Sequence, residues 1–538
     1  RFQCQRNFVI LLTDGEPARD VEADDRIAAL PGFASINPGG CGAAGEGRCL
    51  DEMARYLNQA DLATGANMNG VQNAVTYTIG FGPDVSGSAF LAETAVAGGG
   101  DAFAADDIIG LTTALQEIVS DIGERSSTFT TPSVAVNAFS RLQSSNELYI
   151  SVFEPTDTAR WPGNLKKYGL ENGRIVDASG NDAIDPVTGF FTDTAQSIWT
   201  VGPPDGKRVK VGGAASLLPA PAGRKVYTFI EASDQRNLTS PANEFVTANA
   251  ALSDALLGTS ASEPTRTQLI EWARGIDVRD ANGNGNTTEQ NRFMGDPLHA
   301  HPVLVTYGNA ANEAVVFVPT NDGFLHAVAP DTGRELWSFV PQELLARLTS
   351  LYRDPGVANR DYGLDGDIRV LRFDVDQNGI IESDEGDRVF IYFGMRRGGR
   401  SYYALDVTNR TSPRVLWRIG ESATTDADAL PGIGETWSTP ALARVRISGV
   451  TQNSEEIVLI FGGGYDEGQE DFDFRTDTSG HRIYMVDAVT GKLLWYAGGP
   501  DGAGTPDLAL AQMTHSIPAR ITVVDTDGNG FADRMYTA

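Results

Sequence analysis

VVFVPTNDGFLHAVAPDTGRELWSFV (315–340) is an apolar run, an Asn-Asp-Gly turn, a second run, an Asp-Thr-Gly turn, and a third run carrying a Trp. Short runs rich in Val, Phe and Leu, broken by such turns, read as antiparallel strands joined by hairpins. The pattern returns at RVFIYFGMRRGGRSYYALDVTNRTSPRVLWRIG (388–420). It returns again at EIVLIFGGGYD (456–466) with HRIYMVDAVTGKLLWYAGG (481–499). Three anchors line up: AVAPDTGRELW ending at Trp337, ALDVTNRTSPRVLW ending at Trp417, and MVDAVTGKLLW ending at Trp495. A repeat of about four short strands predicts a β-propeller. Each Trp is expected to pack against the neighbouring blade. A further unit begins at TPDLALAQMTHSIPARITVVD (505–525), and the ring is not expected to close within this chain.

Between two of these strands lies DVDQNGIIESDE (374–385). Asp374, Asp376 and Asn378 alternate, Gly379 follows, and Glu385 closes the run, matching the calcium-loop spacing D-x-[DN]-x-[DN]-G-x5-E. Calcium takes six to eight hard oxygen ligands. Short carboxylates and amides at alternate positions can wrap one ion, the glycine permits the sharp turn, and the Ile380 carbonyl can add a ligand. Strands rather than helices flank this loop, so Glu382 or Asp384 can replace Glu385 as the last ligand. DTDGNGFAD (525–533) repeats the idea with Asp525, Asp527, Asn529 and Asp533. A sparser imitation, Asp280, Asn282, Asn284 and Gly285, reads equally well as a bare turn.

The N-terminal part is of another kind. NFVILLTDGEP (7–17) is a continuous apolar strand, as in parallel sheets buried on both faces. DEMARYLNQADL (51–62) has helical period, and VTYTIGFG (75–82) is a second buried strand. Residues 90–124 read as helix, glycine break, short strand and a long amphipathic helix. This is part of a doubly wound α/β domain. It resembles a von Willebrand factor A domain, in which the Thr-Asp-Gly ending a buried strand supplies an aspartate to a metal site. The resemblance implies that role for Asp14, with Mg2+ as the ion. The domains expected are the A-like part over 1–124, a β-rich middle domain over 125–264, a linker over 265–300, and propeller blades over 301–538.

Composition narrows the function. At 538 residues the chain needs several cores, and its net charge of −29 disfavours nucleic acid and anionic lipid as partners. The three cysteines all lie in the first 50 residues. Cys41 and Cys49 bracket a glycine-rich loop that can close as a disulfide, and Cys4 can instead pair with either. Disulfides and millimolar calcium both fit an extracytoplasmic place. No transmembrane run or signal peptide is visible, and the chain reads as a fragment of a longer protein. The five histidines form no metal spacing, and His299 and His301 read as structural. No G-x-S-x-G or phosphate loop appears.

An A-like domain, then WPGNLKKYGL (161–170), RFMGDPLHAHPVLV (292–305), TNDGFLHAVAPDTGRELWSFVP (320–341), and a calcium-type loop inside a blade together resemble the PilY family of type IV pilus biogenesis proteins. The resemblance implies a non-catalytic, calcium-binding protein of the cell surface, exported through periplasm and outer membrane to the pilus tip. It implies a place with minor pilins in a tip complex, promotion of pilus extension and twitching motility, and adhesion to host or abiotic surfaces. It also implies calcium ligation by Asp374, Asp376, Asn378, Ile380 and Glu382. The competing expectations are a pyrroloquinoline quinone dehydrogenase, whose propeller shares the Trp anchors, and a general calcium-dependent surface adhesin.

Overall fold

The computed structural model describes residues 7–15, 23–41, 49–62, 72–83, 85, 87–107, 110–112, 114–115, 117–118, 129–136, 144–185, 190–308, 310, 312–356, 360–420, 429–471, 476–499 and 505–537. Two compact units divide the chain: 1–128 with 184–193, and 129–183 with 194–538.

In the first unit, strands β1 (Asn7–Thr13), β2 (Ala74–Phe81) and β3 (Gly99–Ala105) form a parallel sheet in that order. The helices Leu50–Gln59 and Ala89–Ala97 bury Ala54, Tyr56, Leu91 and Ala95. The central strand β2 places Tyr77 and Ile79 in the core. Strand β1 departs from expectation. Val9, Ile10 and Leu12 are 38%, 41% and 51% exposed, not buried on both faces. The reason is position: β1 pairs with β2 alone, at the edge of the described sheet. Cys41 and Cys49 form a disulfide, and Cys4 lies outside the described residues. So does most of the long helix expected before 124.

The second unit is a succession of mostly antiparallel sheets. Strands β4 (Phe129–Val136), β5 (Ser144–Phe153), β6 (Pro162–Glu171) and β7 (Arg174–Val176) make the first. Strand β8 (Val226–Thr228) lies further along the chain, and β9 (Met294–Gly295) pairs with β6. The segment 265–300, expected as a linker, thus carries β9 as well as the helix Arg266–Ala273. The second sheet is β10 (Val303–Thr306), β11 (Ala314–Pro319), β12 (Leu325–Val328) and β13 (Glu335–Val340), with β8 added parallel to β13. The third is β14 (Ile368–Phe373), β15 (Arg388–Gly394), β16 (Ser401–Asp406) and β17 (Arg414–Gly420). The fourth is β18 (Ala441–Arg444), β19 (Ile457–Gly462), β20 (Arg482–Asp487) and β21 (Leu493–Gly498), extended by β22 (Leu508–Ala509). A last hairpin joins β23 (Thr522–Val524) to β24 (Arg534–Tyr536). First strands neighbour one another: β10 lies by β4, β14 by β18, and β18 by β23.

The repeat read in the sequence is repeated in register. Trp337, Trp417 and Trp495 stand opposite Ala327, Ala404 and Met485, and the ladder shifts directly after each of these partners. Such a shift re-aims the strand end. The tryptophans then link successive sheets. Trp337 Nε1 donates to the Arg410 carbonyl at 2.7 Å, and Trp417 Nε1 to the Ala488 carbonyl at 3.1 Å. Trp199, which the sequence repeat does not mark, does the same to Pro330 at 3.1 Å. Each target carbonyl sits in a turn of the following sheet. In two of these turns a glycine lies flat on the ring. A Cβ on Gly333 would come 2.6 Å from Trp199, and one on Gly491 2.6 Å from Trp417. Gly491 also has φ +72°. Gly491→Ala is therefore expected to lower stability by about 1–3 kcal/mol, through overpacking and strain, measured as a fall in the urea midpoint.

Candidate metal loops

Strands β14 and β15 are paired from Ile368↔Phe393 to Phe373↔Arg388, so 374–387 is a hairpin loop held at both ends by the ladder. Its backbone is folded by its own side chains. Asp374 Oδ2 accepts from Gly379 N at 2.9 Å, Asp376 Oδ1 from Asn378 N at 3.1 Å, and Asn378 Oδ1 from Ile380 N at 2.7 Å. Gly379 has φ +87°, the conformation the sequence pattern reserves for glycine. Asn378 Nδ2 donates to Asp376 Oδ2 at 2.9 Å and reaches Glu382 Oε2 at 3.4 Å. Ile381 N donates to the Tyr307 carbonyl at 2.7 Å, fastening the loop to the segment after β10.

Two residues that the motif does not mark complete the loop. Asp387, 2% exposed, accepts from Val375 N at 2.8 Å and Glu382 N at 3.0 Å, and these bonds hold its carboxyl below the ordinary range. Arg372 donates to the Gly379 carbonyl at 2.6 Å and stands 3.5 Å from Asp374 Oδ2. The sequence signal for Asp387 was its place directly before β15, outside the twelve-residue window. Glu385 is exposed, and its carboxyl is pushed up by Glu382, then by Asp376.

Asp374 Oδ1 is buried and accepts no hydrogen bond. An unpaired buried carboxylate oxygen costs free energy unless a donor or cation meets it. The loop offers oxygens of Asp, Asn and Glu, a set that suits a hard divalent ion, but among the described residues its carboxylates form no group of three within 4.8 Å of one another.

The loop between β23 and β24 repeats these bonds. Asp525 accepts from Gly528 N and Gly530 N, each at 2.7 Å. Asp527 accepts from Asn529 N at 3.1 Å, and Asn529 from Phe531 N at 2.8 Å. Asp533 accepts from Thr526 N at 2.7 Å, the role Asp387 takes toward Val375. Asp525, Asp527 and Asp533 each bring a carboxylate oxygen within 4.8 Å of the others. The 277–289 loop makes the same backbone bonds, with Asp280 accepting from Gly285 N, Asn282 from Asn284 N and Asn284 from Asn286 N, while the amide nitrogens of Asn282 and Asn284 both donate to Glu289. Asp14 sits exposed at the end of β1 and joins no group of three metal-type ligands among the described residues. No described helix is long and apolar enough to cross a membrane.

A β-rich chain of serial sheets with acidic hairpin loops is thus the class in hand. No protein-family model matches it. It is 30% identical over 210 residues to the type IV pilus biogenesis factor PilY1 homolog of Xylella fastidiosa strain Temecula1, covering 35% of this chain and 16% of that protein. It is 23% identical over 475 residues to the type IV pilus biogenesis factor PilY1 of Pseudomonas aeruginosa strain PAO1, covering 81% of this chain and 34% of that one. A structural match to the C-terminal domain of Pseudomonas aeruginosa PilY1 covers 42% of this chain and 36% of that one at 22% identity, with a TM-score of 0.26, too low to argue from. Over these stretches the chain is similar to the type IV pilus biogenesis factor PilY1. It spans about a third or less of the length of these relatives.

Proposed function

We propose that this chain is part of a calcium-binding type IV pilus biogenesis protein that acts at the pilus tip and cell surface. In this reading it meets minor pilins of a tip complex, promotes pilus extension and twitching motility, and takes part in adhesion to host or abiotic surfaces. The names of its relatives support the pilus role. The observation that carries calcium is the buried, unpartnered Asp374 Oδ1 within an all-oxygen hairpin loop. Asp374, Asp376, Asn378, Glu382 and the Ile380 carbonyl would hold one ion, and Asp525, Asp527, Asn529 and Asp533 a second. Asp14 would contribute to a Mg2+ site of a von Willebrand A-like domain, a reading supported by its place at the end of a parallel strand. The serial sheets, their linking tryptophans and their neighbouring first strands support a β-propeller. The role is binding and regulatory rather than enzymatic.

The mechanism follows from charge. Without an ion, Asp374, Asp376, Glu382 and Glu385 repel one another across the end of β14–β15. A calcium ion held by these residues would screen the repulsion, and the hairpin would then present a different surface to a partner when loaded than when calcium-free. Calorimetry should find two calcium ions per chain, with Kd between about 1 μM and 1 mM. Asp374→Ala should leave one. At about 100 times Kd, calcium should raise the unfolding free energy by about 2.7 kcal/mol. Equal heats for parent and variant would overturn the site. A full-length Asp374→Ala protein that restores twitching at every calcium concentration as the parent does would overturn the regulatory role.

A further inference from the structure

His299 and His301 flank Ala300, which is fully buried, while the two imidazoles are 38% and 50% exposed. Each ring is gripped by its own carboxylate. His299 Nδ1 lies 2.6 Å from Asp365 Oδ2, and its backbone N donates to Asp365 Oδ1 at 3.2 Å. His301 Nδ1 lies 2.8 Å from Asp367 Oδ1, and its backbone N donates to the same oxygen at 3.2 Å. Two histidines two residues apart thus lie along two aspartates two residues apart. The aspartates are themselves held: Asp365 is buried and accepts from Asn321 Nδ2 at 3.1 Å. Pro297 and Pro302 stiffen the histidine segment.

A carboxylate on Nδ1 makes that nitrogen the donor and leaves the Nε2 lone pair as the free base. No described side chain bonds Nε2 of either ring. A carboxylate orienting a histidine from behind is the usual outer shell of a metal-ligating imidazole. No third carboxylate, thiolate or imidazole among the described residues joins them as a close ligand group. Two nitrogens suit a borderline ion rather than calcium.

We propose that His299 and His301 form a two-nitrogen site for a divalent transition ion, Cu(II), Ni(II) or Zn(II), separate from the oxygen-lined loops. Cu(II) binds tightest of the three. Water, or a side chain of a partner protein, fills the remaining positions. The proposal does not depend on the calcium reading.

The test uses the untagged chain, stripped with chelator and then held in excess calcium. Cu(II) titration should give one ion per chain, with two nitrogens in the hyperfine pattern of its electron paramagnetic resonance spectrum. The double variant His299→Ala/His301→Ala should lose the ion, and His515→Ala should keep it. Asp367→Asn, which touches no metal, should weaken binding about 10-fold or more. His301→Gln, at a half-exposed position, should remove one nitrogen from the spectrum even if the double variant fails to fold. Cu(II) uptake unchanged in the folded double variant, lost in His515→Ala, or absent from the folded parent would overturn the proposal. So would a two-nitrogen spectrum that survives His301→Gln.

Discussion

Trp417→Ala is expected to lower the unfolding free energy of the second unit by about 3–5 kcal/mol. Trp417 is 1% exposed and ends the repeat motif on β17. Its ring packs on Tyr392 within its own sheet, with centroids 5.7 Å apart, and against Gly491 in the next sheet. Its Nε1 donates to Ala488, whose carbonyl also accepts from the Tyr392 hydroxyl at 3.0 Å. Truncation therefore empties a space at a junction between two sheets and removes one of two donors from a buried carbonyl. Trp417→Phe restores most of the volume but not the donor, and should recover more than half of the loss. The urea midpoint of the three proteins measures this. If alanine costs under about 1 kcal/mol, Trp417 does not link the sheets as described.

Glu335→Ala should cost about as much, 3–5 kcal/mol, for a different reason. Glu335 opens β13 and is almost wholly buried. Arg224 Nε and Nη2 donate to its two oxygens at 2.8 and 3.0 Å, and His326 Nδ1 lies 2.7 Å from Oε2. Arg224 Nη1 also donates to the Ala273 carbonyl at 3.1 Å. This group ties the start of β8 and the end of the helix Arg266–Ala273 to β12 and β13. Removing the carboxylate strands a buried guanidinium. Removing both charges, as in Arg224→Met/Glu335→Leu, leaves no member of the ion pair stranded and should cost less than the sum of the single variants, although His326 Nδ1 and the Ala273 carbonyl each lose a partner. Stability should also carry the pH signature of this group. Burial alone would raise the Glu335 carboxyl, but Arg224 and the His326 hydrogen bond outweigh it and hold it down to about 2 against its ordinary 4.5. A depressed folded value means that the contribution is full above about pH 4.5 and is lost as pH falls toward 2. Thermal melts of parent and Glu335→Gln between those limits should converge at the acid end. Parallel curves would show that the carboxylate is not the source.

The hairpins were legible because their causes are local. The side chains of Asp374 and Asn378 accept from the backbone N–H groups of Gly379 and Ile380, within five residues, so spacing alone announces the loop. The same holds for Asp525 and Gly530. The three tryptophans were legible because each shares a ladder with a partner about ten residues earlier. Strand β1 misled for the opposite reason. Its apolar run matches a strand covered on both faces, but coverage depends on neighbours that the run itself does not name.

The sequence by itself determined the order of strands and turns, the positions of both acidic loops, and the tryptophan repeat. All of these arise from contacts a few to some twenty residues apart, where turn chemistry and side-chain alternation decide the outcome. Only the tertiary structure decided what closes over long separations. It paired Glu335 with Arg224 across 111 residues and the two histidines with their aspartates across 66. It also added Trp199 to the links between sheets and gave Asp387 the closing of its loop. A side chain buried by packing takes its partner from whatever backbone or charge the fold brings opposite it, and no spacing along the chain encodes that choice.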